Sequence, residues 1–246
     1  MHLATPLCLV TLLWLVIPAG SALAQISVNR SIIELTNEAR VQDIEVRNNG
    51  EDRLYLDLAA AEIVDPGSAE PRRVELEDPR TAPVLVSPRQ LMLPPGTRKR
   101  VRVILRADIA GSDRIFRLQV KPYTGNARLA GAATGKSSAV RILLGYDLLL
   151  LARPSTLDPD VRVGRDGDTM AFRNEGNTNV LLRRIVQCDG DADPDTADEG
   201  TCEELTPTRL YPGQTHRVVL PRGGSTERFP VTVWQSVGSD HSVASY

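Results

Sequence analysis

The chain has 246 residues, with 29 Lys and Arg against 31 Asp and Glu and a formal net charge of −2. A charge so nearly balanced supplies no bulk field toward nucleic acid or a membrane surface. Aromatic residues make up only 4% of the chain, too few for a base-stacking face.

At the N-terminus, Leu7 to Ile17 is an apolar core and Ala22-Leu23-Ala24 supplies a small-residue cleavage pattern. Together they read as a secretory signal over residues 1–24 with the mature chain starting at Gln25. The n-region holds His2 but no Lys or Arg. A membrane anchor is the alternative, but the apolar core is shorter than the ~20 residues a span needs. The expectation is an exported protein with no membrane insertion. The mature chain of about 222 residues has room for two small domains.

Those residues read as nearly all β. Strands are expected over Ile26–Leu35, Val41–Arg47, Leu54–Ala60, Val84–Leu93, Arg98–Leu105 and Ile115–Lys121. Turn signals separate them at Asn48-Asn49-Gly50, Pro66-Gly67, Pro94-Pro95-Gly96 and Ala110-Gly111. Within Arg98–Leu105, Val101, Val103 and Leu105 alternate with Arg98, Arg100 and Arg102, so one face is apolar and the other a solvated basic comb. This spacing predicts an immunoglobulin-like sandwich.

After a Gly-, Ala- and Thr-rich loop comes Ser138 to Pro154, read as one strand of some fifteen strand-formers ending in Arg153-Pro154, well beyond the usual ~5–6 residues. Val140, Ile142 and Leu144 share one face, and Leu148 to Leu151 are apolar on both. An exposed apolar strand is an aggregation hazard unless it is used. A second β unit follows: Val161–Val163, Thr169–Arg173, Val180–Val186, Arg217–Leu220 and Pro230–Gln235. The expected division is therefore 25–154 and 155–246, hinged at Arg153-Pro154. With Cys8 removed in the leader, Cys188 and Cys202 remain, 13 residues between them. In an oxidising compartment two cysteines most simply form one disulfide. The alternative, a thiol or metal pair, has no histidine nearby.

Motifs for other chemistry fail on context. Gly131 to Ser137 imitates a phosphate-binding loop, but it is one residue short and a strand, not a helix, follows. Asp189, Asp191, Asp193 and Asp195 imitate a calcium loop, but its sixth position is Pro194 and its twelfth Gly200. An acidic hairpin tip is the expectation instead. The mature chain's histidines, His216 and His241, are isolated, with no nucleophile elbow or metal-ligand cluster. Asn29-Arg30-Ser31 matches a glycosylation sequon inside a predicted strand. No enzyme, cofactor or metal is expected.

The succession of motifs resembles the PapD-like periplasmic pilus chaperones. It runs through Ile26–Leu35, Val86-Ser87-Pro88, Leu93-Pro94-Pro95-Gly96 before the basic strand, Phe116-Arg117-Leu118 with Lys121-Pro122, and the strand ending in Arg153-Pro154. Asn174-Glu175-Gly176-Asn177, Cys188 with Cys202, Leu210-Tyr211-Pro212-Gly213 and Val233-Trp234-Gln235 are similar to the alternate, alpha-clade type, which includes the common-pilus chaperone of enteric bacteria.

The resemblance implies an all-β protein of two immunoglobulin-like domains set in an L. It implies periplasmic localisation and an ATP-independent role in fimbrium biogenesis. In that role Val140, Ile142 and Leu144 complete a pilus subunit by donor-strand complementation before delivery to an outer-membrane usher. Self-association of the free chain would be another way to hide such a strand. Typical members anchor the subunit's C-terminal carboxylate with a basic pair; the aligned positions here are Ile32 and Leu149, neither basic, so Arg30 and Lys121 are the candidate anchors. Arg153 matches a residue that holds the domains together. A fimbrial structural subunit or adhesin is the competing reading, and a β-sandwich hydrolase a third.

Overall fold

The structure is a computed structural model that describes residues 25–123, 144–226, 228 and 230–246. The leader and two of the three donor residues, Val140 and Ile142, lie outside the described residues. All regular structure within them is β. The first ten strands are β1 (Ile26–Val28), β2 (Ile32–Thr36), β3 (Val41–Asn48), β4 (Leu54–Val64) and β5 (Arg72–Glu75), then β6 (Val84–Ser87), β7 (Gln90–Leu93), β8 (Arg98–Leu105), β9 (Arg114–Tyr123) and β10 (Tyr146–Arg153). They form two sheets, one ordered β1-β3-β8-β6 and the other β2-β10-β9-β4-β5, with β7 also on β4. One apolar core, including Ile33, Leu56, Phe116 and Leu150, fills the space between them.

Alternation decides which side chains enter that core. On β8, Val101, Val103 and Leu105 are buried and Arg98, Arg100 and Arg102 face out. The basic comb is ion-paired with its neighbour strand: Arg102 bonds both Asp43 oxygens at 2.9 and 3.2 Å, and Arg98 reaches Glu45 at 3.5 Å. Such exposed pairs contribute little to stability.

Two expected strands divide, and the described part of a third begins late. Ile26–Leu35 is two strands in different sheets, because the chain crosses between sheets at Asn29-Arg30-Ser31. There Asn29 exchanges hydrogen bonds with Glu45, its amide donating to the Glu45 carbonyl and its side-chain oxygen accepting from the Glu45 amide. Val84–Leu93 likewise changes sheets at Ser87-Pro88, a cis peptide bond. In the long strand before Pro154, Leu144 and Gly145 are irregular and the ladder begins at Tyr146. Gly145 crosses so close to β9 that a Cβ there would lie 2.7 Å from the Val120 carbonyl oxygen.

Eight further strands form the second sandwich: β11 (Val161–Asp166), β12 (Thr169–Asn174), β13 (Val180–Cys188), β14 (Cys202–Leu205), β15 (Thr208–Leu210), β16 (Thr215–Val219), β17 (Val231–Val237) and β18 (Asp240–Ser245). One sheet is β11-β12-β16 and the other β14-β13-β17-β18, with β15 also on β13. Phe172, Leu182, Ile185 and Val233 are in its core. Cys188 and Cys202 stand opposite one another on β13 and β14 and are bonded. The acidic run between them is a series of turns tied down by Arg184 to Asp195 and Arg222 to Asp189.

The two sandwiches repeat one local device. Asn48 ends β3, donates to the carbonyls of Asp52 and Leu93 at 2.7 and 3.0 Å, and accepts from the Gly50 amide at 2.9 Å. Asn174 ends β12, donates to Thr178 and Leu210 at 2.8 and 3.0 Å, and accepts from Gly176 at 3.0 Å. Each buried amide thus ties its turn to the Leu that precedes a Pro-Gly turn, Leu93-Pro-Pro-Gly96 in one sandwich and Leu210-Tyr-Pro-Gly213 in the other.

Candidate functional site

Strand β10 is covered on one edge by β9 from Tyr146 to Ala152, but on the other β2 begins only at Leu149. The Leu149 amide donates to the Ser31 carbonyl at 3.0 Å. By strand alternation the Asp147 amide points to the same side, where no described strand lies. The Asp147 carbonyl accepts from Arg117 at 3.3 Å. Tyr146, Leu148, Leu150 and Ala152 turn into the core. Leu144 continues that series past the end of the sandwich and is 63% exposed.

The outward side of β10 meets the second sandwich. Ile32, Leu149 and Arg117 are cross-strand neighbours in one row, with Leu151 and Ile115 in the next. Leu149 is only 8% exposed, clustered with Ile115, Leu151 and Tyr211 of the second sandwich. Tyr211 also lies over the turn after β4, where a Cβ on Gly67 would sit 3.1 Å from its ring. Burial pushes the Tyr211 phenol up, against the opposing pull of Arg209 and Arg117.

Below this apolar latch is a buried polar join. Arg153, 3% exposed, bonds Glu34 at 3.2 Å and Thr178, and lies 3.8 Å from Asp113. The Asp113 side chain is fully buried and accepts from the Thr178 hydroxyl at 3.1 Å, the Asn179 amide at 2.7 Å and the Asn179 side chain. The Asp113 carboxylate and the Arg153 guanidinium thus stabilise one another out of water; the hydrogen bonds from the second sandwich all go to Asp113 Oδ2, and Asp113 Oδ1 and Arg153 Nε are buried without a hydrogen-bond partner among the described residues.

Beside the join is a cleft of about 470 Å³ whose lining includes Arg30, Ile32, Glu34 and Arg153 from the first sandwich and Leu181 and Arg209 from the second. Arg30 is exposed and bonded to Gln42 at 3.4 Å. Ile32 is 42% exposed. Lys121 lines a separate groove of about 470 Å³ with Gly145 and Asp147, so Arg30 and Lys121 do not share a pocket. Pro154 follows Arg153 at the end of β10 and is buried.

Asp113, Arg117, Arg209 and Tyr211 escape sequence reasoning. Asp113 and Arg209 look like surface charges in sequence, and only the packing of the two sandwiches buries them. Tyr211 had a signal in the Leu210-Tyr-Pro-Gly motif, and Arg117 in Phe116-Arg-Leu, but neither carried a role. The two histidines are on β16 and β18; burial draws His216 below the ordinary histidine range. Among the described residues no group of three or more His, Cys, Asp or Glu side chains is placed to hold a metal.

No protein-family model and no curated protein matches this sequence. Solved structures do. The class 5 fimbriae chaperone CfaA superposes with a TM-score of 0.63 at 15% identity, covering 89% of this chain and 98% of that one. A chain from a chaperone–tip adhesin complex of CFA/I fimbriae gives 0.62 at 16% identity, covering 90% and 98%. A chain from the Salmonella enterica complex of the SafA pilin with the SafB chaperone gives 0.60 at 13% identity, covering 91% and 96%. The chain has the all-β fold of the fimbrial chaperones, with two immunoglobulin-like domains.

Proposed function

We propose that this protein is an exported chaperone of fimbrium assembly, working in the periplasm after removal of residues 1–24. It binds pilus subunits through the segment that leads into β10 and delivers them to an outer-membrane usher. The observation that carries this reading is the edge of β10 before Leu149, on which no described strand pairs and along which an inward apolar face runs out of the core to the exposed Leu144. Strand addition there gives a guest sheet the main-chain bonds it lacks, and Val140, Ile142 and Leu144 fill its groove. Burial of three such side chains contributes about 1.5–3 kcal/mol each before ordering costs.

In this reading Arg153 and Pro154 fix the angle between donor strand and second domain, and Arg30 at the cleft is placed for the guest's terminal carboxylate. Lys121 stands nearer the guest's path along the strand, over the groove beside Asp147. The likeness to structures of chaperone–pilin and chaperone–adhesin complexes supports the choice of guest. The test replaces Val140, Ile142 and Leu144 together by serine and assays co-purification of a fimbrial subunit and surface fibres. Capture should fall by at least about tenfold; undiminished capture and piliation would show that the strand is not the donor.

A further inference from the structure

Strand β18 is an edge strand: it pairs with β17 from Asp240 to Ser245, and no described strand lies on its other side. The phase of that ladder is set at its end. The Val231 amide donates to the Tyr246 carbonyl at 3.0 Å, and the Tyr246 amide donates to the Val231 carbonyl at 2.9 Å. Opposed residues of an antiparallel ladder alternate between pairs that exchange both bonds and pairs that exchange none. Along this register Ala244, Ser242 and Asp240 therefore turn their main-chain groups to β17, while Ser245, Val243 and His241 turn theirs to the open side. Charges and prolines are what keep an edge from pairing. Other edges have them: β5 carries Arg72 and Arg73, β14 Glu203 and Glu204, and β16 Arg217. After Asp240, β18 reads His-Ser-Val-Ala-Ser, with no carboxylate, Lys or Arg. All of it but Ala244 is exposed, Val243 to 56%.

We propose that β18 pairs antiparallel with β18 of a second copy of this chain, about a two-fold axis through Val243. That register uses the whole open edge. Val243 exchanges main-chain bonds with its own counterpart, and His241 exchanges them with Ser245 on either side of the axis. No like charges meet, because Asp240 falls opposite Tyr246. The side chains fit the same axis. Val233 is in the core, so Trp234 and its cross-strand neighbour Val243 face outward. Arg184 lies over the Trp234 ring, 4.7 Å from its centroid, and is itself ion-paired with Asp195 and Glu204. The axis thus joins two Trp-Val pairs into one apolar strip, closed at each end by a neutralised arginine. A contact of this kind is self-complementary and closes after two chains. Strand β10 takes no part in the seam, so the pairing is distinct from any that hides the donor segment, and it does not rest on the function proposed above.

Sedimentation velocity of the full mature chain across a concentration series tests this. Wild type should pass from one chain to two in a single step. Val243→Pro removes an amide that points to the open side, leaves the β17 ladder its bonds, and should weaken association about tenfold or more. Val243→Lys and Val243→Glu each set like charges face to face at the axis and should do the same. Mixed in equal amounts, those two variants should recover association to within about threefold of wild type, because only this axis brings residue 243 against itself. Circular dichroism and thermal unfolding check that each variant keeps the fold. Replacing Val140, Ile142 and Leu144 by serine should leave association unchanged. A wild type that stays a single chain up to about 1 mM, charge variants that associate as wild type does, or a mixture that does not recover would overturn the proposal. So would association lost in the triple-serine variant, which would move the contact to the donor segment. A single-chain wild type whose Val243 amide is protected from hydrogen exchange only when a fimbrial subunit is bound would give the edge to the guest instead.

Discussion

Arg153 sits at the join between the sandwiches, bonded to Glu34 of the first and Thr178 of the second. Its charge faces a carboxylate, Asp113, from which solvent is fully excluded. Replacing Arg153 by Met keeps much of the volume but leaves Asp113 as an uncompensated buried charge, a change that typically costs about 3–5 kcal/mol. Calorimetric unfolding of Arg153→Met should show a lower midpoint and a split into two transitions, one per sandwich. Adding Asp113→Asn should recover part of the loss, because the orphaned charge is then removed as well. A single unshifted transition in the single variant would refute the role given to this pair. In sequence, Arg153 was singled out only through the family resemblance, at its place before Pro154. Asp113 was not, since an acidic residue in a Gly-Ser-Asp turn reads as surface until a second domain closes over it.

At the scale of the element, the proposed function rests on β10 because of where its described pairing stops. Periodicity in the sequence marks the strand, and its apolar residues are where alternation puts them. What sequence does not reveal is the point of release: Gly145 lies too near the Val120 carbonyl for any side chain, and the ladder starts one residue later. Gly145→Ala must push β10 away from β9. It should lower the urea midpoint of unfolding by the equivalent of about 1–3 kcal/mol, with Leu144 and its neighbours unchanged in sequence. An unaltered midpoint would mean that the approach is not fixed. The strands missed altogether, β5, β14, β15 and β18, share a physical reason. They are short or sit at sheet edges with mostly polar exposed residues, and their backbone pairing leaves no apolar alternation to read.

In the whole molecule the second sandwich does for the first what neither does alone. The repeated Asn-x-Gly and Leu-x-Pro-Gly devices build both units the same way, so the difference between them lies in what the repeat presents outward. In the second unit that is Arg209 and Tyr211, one facing the cleft and the other seated on Leu149 and Gly67. This explains why the fold was readable from motif order while the cleft was not: strands announce themselves locally, whereas a cleft exists only between units whose packing no local pattern encodes. It also accounts for Leu149, which looked like a missing cation and is instead the floor of an apolar latch.

The central claim is that a guest strand adds to the open edge of β10. Hydrogen exchange at the Asp147 amide, compared between the free chain and the chain loaded with a fimbrial subunit, tests it most directly. That amide faces no described strand in the free chain, whereas the Leu149 amide is already bonded to Ser31. Loading should slow exchange at Asp147 by about tenfold or more and leave Leu149 nearly unchanged. A loaded complex in which Asp147 exchanges as fast as before, with new protection on the edge strands of the second sandwich, would contradict it.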